Sequence, residues 1–152
     1  MREFDHSLAI AAAPTRILDA FFNSEDLASW WHVARSLCLP RALGSYAVEW
    51  PITDWSDDVL GRLGGAFRGT VIEFNAGRQF FIADAYWLPP DGEPIGPMAL
   101  EAGCTELGER AVLRVRQSGW EDSRRWSRYY EILASNLTDS LDELKRYVES
   151  RA

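Results

Sequence analysis

The chain of 152 residues has no basic run, no long apolar run and only two cysteines, and each scarcity removes a class of function. Its formal net charge of −7 argues against nonspecific binding to nucleic acid or to an anionic membrane surface. No segment approaches the ~18 apolar residues that a membrane-spanning helix needs. The apolar stretch before Pro14 is too short for the core of a secretion signal, so the expected location is the cytoplasm. The sequon Asn136-Leu137-Thr138 then has no meaning, because it also falls inside a predicted helix. Cys38 and Cys104 have no metal-ligand spacing, give no disulfide framework, and read as small buried hydrophobes. His6 and His32 bear no spacing relation to each other, which makes a poor metal site. The chain also lacks a GxSxG elbow, a P-loop, a dinucleotide fingerprint and an HExxH pair, so no cofactor or metal is expected.

Aromatic residues are plentiful instead. Seven tryptophans stand in an otherwise ordinary composition of 47% apolar and 26% charged residues. Such a chain fits one globular domain over residues 1–152, burying about two-thirds of its surface on folding. Its longest uninterrupted pattern begins after Gly119, where neither Gly nor Pro recurs. Trp126, Tyr130, Leu133, Leu137, Leu141, Leu144 and Val148 follow one another at steps of four or three. Arg128, Glu131, Ser135, Asp139, Asp142, Arg146 and Glu149 make the opposite, wholly polar stripe. The spacing predicts one amphipathic helix of about 27 residues, roughly 40 Å long, with Asp122 or Ser123 as N-cap. A helix of this kind needs a large apolar partner, and the strands upstream must provide it.

Upstream, residues 3–10 alternate loosely and read as an opening strand. Pro14 can begin a short helix, and Ser24 can cap a second with Glu25 and Asp26 in its first turn. Strands are predicted over 34–39, 44–50, 66–74, 78–87, 98–107 and 110–118, with turns at 75–77 and 108–109. The stretches 51–65 and 89–97 are rich in turn formers and read as loops. Fifteen residues is long for a mere connection, so 51–65 is either a lid carrying Trp55 or Leu60 or a solvated connector. The order of elements predicts an α+β fold: a curved antiparallel sheet of about six to seven strands, two short helices, and a long C-terminal helix across it.

Three local patterns, ILDAFFNSEDLASWW after Pro14, GAFRGTVIEF after a Gly-rich turn, and QSGW leading into SLDELKRYVES, keep this order along nearly the whole chain. In that arrangement the chain resembles the START-like helix-grip (SRPBCC) superfamily, and within it the homologues of heat-shock-protein ATPase activators. The resemblance implies a pocket for apolar or amphipathic small molecules between sheet and long helix. Members of the superfamily include ligand carriers, protein-binding modules and enzymes such as cyclases and hydratases, so the fold leaves function open.

Candidate ligand contacts are Trp50, Phe80, Asp84, Tyr86, Arg114, Trp126, Tyr130 and Leu133, all on elements that would enclose such a pocket. The aromatic members serve equally well as core filling. Asp84 shares a strand face with Phe80, Ile82 and Tyr86, so it is either an inward carboxylate suited to acid–base work or a residue at the sheet edge. Arg114 and Arg116 either pair with Asp84 or an anionic ligand, or face water. The leading expectation is a binding domain for a hydrophobic small molecule, without catalysis. The alternatives are a cochaperone-like module with a chaperone or other protein as partner, and a cyclase- or hydrolase-type enzyme using Asp84.

Overall fold

The computed structural model describes residues 2–151. The elements, in chain order, are β1 (Phe4–Ile10), α1 (Pro14–Asp19), α2 (Ser24–Trp30), β2 (Arg35–Cys38), β3 (Ser45–Glu49), β4 (Ser56–Asp57), β5 (Gly61–Arg62), β6 (Ala66–Asn75), β7 (Gln79–Leu88), β8 (Ile95–Leu107), β9 (Arg110–Ser118) and α3 (Arg124–Ser150). Seven strands form one antiparallel sheet in the order β1-β9-β8-β7-β6-β3-β2, as the α+β expectation required. β4 and β5 form a separate two-stranded ribbon inside the stretch that the sequence presents as a loop.

Local chemistry explains the helix boundaries. Pro14 occupies the first turn of α1, where its missing N–H removes no hydrogen bond. At α2 the cap is Asn23 rather than Ser24: Asn23 Oδ1 accepts from the backbone N–H groups of Glu25 (3.0 Å) and Asp26 (3.1 Å). Ser123 caps α3 by accepting from the Trp126 N–H at 3.2 Å. Along α3 the buried side is Trp126, Tyr129, Tyr130, Leu137, Leu141, Leu144 and Val148, while Leu133 is only half-buried. Tyr129 therefore joins the stripe that the sequence spacing picked out.

The two short helices close one end of the sheet with aromatic rings. Phe22 meets Tyr46, Phe74 and Phe80 edge-on at ring separations of 5.0–5.2 Å, and Phe21 packs on Trp30 and Phe80. Their buried polar tips are satisfied: the Trp30 indole N–H donates to the Ala20 carbonyl, and the Tyr46 hydroxyl to the Phe21 carbonyl, both at 2.8 Å. Beside them Asp26 accepts both guanidinium N–H groups of Arg16 (2.7 and 3.0 Å) and the Tyr147 hydroxyl (2.7 Å), tying α1, α2 and α3 together.

One irregularity decides which side chains face inward. Along β7, Ile82 and Ala85 stand opposite Leu100 and Met98, so three steps on one strand match two on the other. The same extra residue appears against β6, where Thr70 and Arg68 face Ala83 and Tyr86. Asp84 lies in this bulge with φ 52°. An extra residue reverses the inside–outside alternation beyond it. Phe80 and Ile82 are buried before the bulge, Ala85 and Trp87 after it.

Candidate functional site

Away from the short helices the core is not filled. A cavity of about 570 Å³ lies between α3 and the sheet, beside the β4–β5 ribbon. Buried Leu60, Phe67, Trp87, Gln117, Tyr129 and Leu137 line its depth. Trp31, Trp50, Leu63, Ile132 and Leu133 make half-buried walls, and exposed His32, Pro51, Ile52, Asn136 and Asp139 stand at its rim.

Each wall is held by packing or by hydrogen bonds. Trp31 stacks on Trp30 at 4.9 Å with its plane 7° away, and meets Trp50 edge-on at 5.4 Å. The Trp50 indole donates to the Trp31 carbonyl at 3.1 Å, and the Trp87 indole to the Gly64 carbonyl at 2.8 Å. Gly64 and Gly65 adopt φ +96° and +78°, and a Cβ on Gly65 would lie 2.2 Å from the Leu88 carbonyl oxygen. Only glycine lets the chain pass there.

The ribbon is fastened over the cavity by one carboxylate. Asp57 Oδ2 accepts from the backbone N–H groups of Val59 and Leu60 at 2.9 and 3.0 Å. Its Oδ1 accepts from Arg128 of α3, with Nε at 2.9 Å and the second nitrogen at 2.8 Å. The Arg128 hydrogen bond, aided by the two backbone donors and opposed by burial, holds the Asp57 carboxyl below its usual range. Leu60 is thereby buried in the cavity wall, while Trp55 points to solvent. At the rim His32, with φ 58°, places Nε2 2.9 Å from a Glu143 carboxylate oxygen.

Of the residues singled out in the sequence, Trp50 and Leu133 line this cavity. Phe80 is fully buried in the aromatic end of the core, remote from the lining. Trp126 and Tyr130 are core residues under the first turns of α3, stacked at 6.4 Å, and the Tyr130 hydroxyl donates to the Gly119 carbonyl at 2.7 Å. Tyr86 sits on the opposite side of the sheet from Trp87, against Gly96. Arg114 is exposed and makes a two-point ion pair with Asp5 at 2.6 and 2.9 Å, and Arg116 pairs with Glu101 and Glu3.

Asp84 is exposed at the bulge of a central strand, neither in the cavity nor at a sheet edge. The bulge breaks the alternation that groups it with Phe80 and Ile82. An acid–base role for Asp84 on a cavity-bound ligand therefore has no geometry behind it.

Most of the lining is absent from the contacts expected from sequence, and four of its residues show why. Trp87 is hidden by the bulge, and Tyr129 by its place one residue off the regular helix spacing. Trp31 reads as core like its neighbour Trp30. Gln117 carries a legible signal: Ala111, Leu113 and Val115 alternate inward along β9, and Gln117 is the next residue in phase.

Reactive groups are scarce. Burial pushes the Cys38 and Cys104 thiols up to about 11, so neither is a ready nucleophile. Among the described residues no group of three His, Cys, Asp or Glu side chains could hold a metal ion. No described helix is long and apolar enough to cross a membrane.

No family model and no curated protein matches the chain. Solved structures do. A protein of Chromobacterium violaceum, CV1439, superposes with a TM-score of 0.71 at 22% identity over 97% of each chain. The Aha1 dimer of Colwellia psychrerythraea gives 0.68 at 15% identity, covering 98% of this chain and 97% of that one. DynU16, from the dynemicin biosynthetic locus, gives 0.67 at 17% identity, covering 98% of this chain and 48% of the other. At these identities the likeness establishes the fold, and the fold is the helix-grip.

Proposed function

We propose that the protein binds an apolar or aromatic small molecule in the cavity under α3. The observation that carries this reading is the cavity itself. One end of the core is packed solid with rings, yet about 570 Å³ stays open beside three tryptophans. That volume lies within the ~300–1,000 Å³ of ordinary ligand pockets, and hydrophobic side chains dominate the lining. The reading assigns no catalysis.

Titration with Nile red, an uncharged hydrophobic dye, tests it. Binding is expected to saturate at one dye per chain while the far-UV spectrum stays native. Leu133→Trp adds bulk to a half-buried wall without touching the packed end, and is expected to weaken the dye by about tenfold or more. A native protein that takes up no dye saturably would overturn the proposal.

A cochaperone-like role is the second reading. Ile52 and Trp55 are 89% and 75% exposed on the ribbon side of the rim, an unusual investment of large apolar side chains in solvent. The fold likeness to a protein named Aha1 lends support. On this reading micromolar protein stimulates a heat-shock-protein ATPase, and Trp55→Ala removes the stimulation. An unchanged ATPase rate would dismiss it.

A further inference from the structure

The deepest polar feature of the cavity narrows the class of molecule it takes. This inference rests on the cavity-binding reading above. Register forces Gln117 inward at the end of the buried row Ala111, Leu113 and Val115, and it is 3% exposed. An amide in such a place is costly unless it is hydrogen-bonded. Its Nε2 donates to the Tyr129 hydroxyl oxygen at 2.6 Å and makes a longer contact with Met98 Sδ at 3.4 Å. Tyr129 is 6% exposed, and its ring leans on Trp87 at 5.6 Å.

Two capacities of this pair remain unused among the described residues. No protein group accepts the Tyr129 hydroxyl hydrogen, and none donates to Gln117 Oε1. Turning the amide over changes which atoms are left, not the fact that some are, and it would set an oxygen against the Met98 sulfur. Both side chains line the cavity, so the unused donor and acceptor belong to its wall. Burial raises the Tyr129 hydroxyl far above its ordinary titration range, so it keeps its hydrogen at neutral pH.

The charge of the lining points the same way. It contains the carboxylates of Asp139 and Glu143 near the rim and no Lys or Arg. A ligand carboxylate would find no Lys or Arg to meet it, and the one histidine of the lining, His32 at the rim, already faces Glu143, so its burial would be costly.

We infer that the cavity selects an uncharged aromatic molecule with a hydroxyl group at its leading end, which accepts from Tyr129 and donates to Gln117. Naphthalene, 2-naphthol and 2-naphthoate form a matched series to test this, read by calorimetry or tryptophan quenching at neutral pH. A purely apolar pocket prefers naphthalene, because it would strand the hydroxyl without a partner. The expected order is the reverse: 2-naphthol about five- to tenfold tighter than naphthalene, and 2-naphthoate roughly tenfold or more weaker than 2-naphthol.

Tyr129→Phe and Gln117→Met each keep the side-chain volume close to the original. In either variant, native by far-UV spectrum, the naphthol-to-naphthalene affinity ratio is expected to fall to about one. Naphthalene binding without a preference for 2-naphthol in the unmodified protein overturns the inference and leaves the cavity reading standing. A ratio that survives in both variants also overturns it. If neither naphthalene nor Nile red binds, the cavity reading falls, and the inference with it.

Discussion

Asp26→Ala is expected to destabilise the fold by ~3 kcal/mol, measured as a lower urea midpoint with an unchanged slope. The Asp26 side chain is 9% exposed and accepts three hydrogen bonds, two from Arg16 and one from Tyr147. Removing it leaves the guanidinium facing an apolar junction of three helices. Arg16 is 31% exposed and can turn partly to water, which keeps the loss near the lower limit for a broken buried pair.

The penalty also has a pH signature. Burial raises the Asp26 carboxyl pKa and is the largest single influence. The Arg16 and Tyr147 hydrogen bonds, with the charges of Arg16 and Arg151, oppose it, and the net displacement is downward. A carboxyl whose folded value lies below its unfolded value of ~3.9 contributes in full above the unfolded value, and the contribution fades as pH falls through the folded one. The gap in stability between the original protein and Asp26→Asn should therefore be constant from pH 5 to 8 and close progressively below pH ~4. A gap that widened in acid would contradict the assignment.

Phe80→Ala is expected to cost ~3–5 kcal/mol. The ring is fully buried and packs on both Phe21 and Phe22, and close packing at this end of the core leaves the surrounding structure little room to collapse. The result separates two roles that sequence left joined. A core Phe80 lowers the melting temperature steeply while the folded fraction still binds Nile red. A ligand-contacting Phe80 would lose dye affinity with little change in stability. Thermal unfolding and dye titration on one preparation distinguish them.

The parts of the molecule that repeat are the parts that could be read. α3 emerges from a stripe that runs for seven residues at regular spacing, and its cap at Ser123 is a matter of local chemistry. The sheet follows from alternation and from turns at 75–77 and 108–109. The cavity is different, because it is what remains after packing. Whether Trp50 fills a core or walls a space depends on Trp31, on the Gly64–Gly65 passage and on Leu60, which are distant in sequence and joined only by the fold. Asp84 and Trp87 were illegible for a sharper reason. Nothing in RQFFIADAYW announces an extra residue, and period-two counting fails silently beyond it. Arg114 and Arg116 lie on β9, where no such irregularity intervenes, and they face away from the buried row as alternation requires.

The bulge at Asp84 has a further meaning for how this scaffold can change. The extra residue opposite Arg68–Thr70 of β6 lets Ile82 and Ala85 both face inward although three positions separate them. Removing Asp84 would set Ala85 two positions after Ile82, and Ala85 and Trp87 would stay on the inner face by ordinary alternation. A change of length at this point is therefore silent toward the ligand, and only substitutions at inward positions reshape the chamber. Two descendants that differ by one residue here would present the same indole to the same molecules.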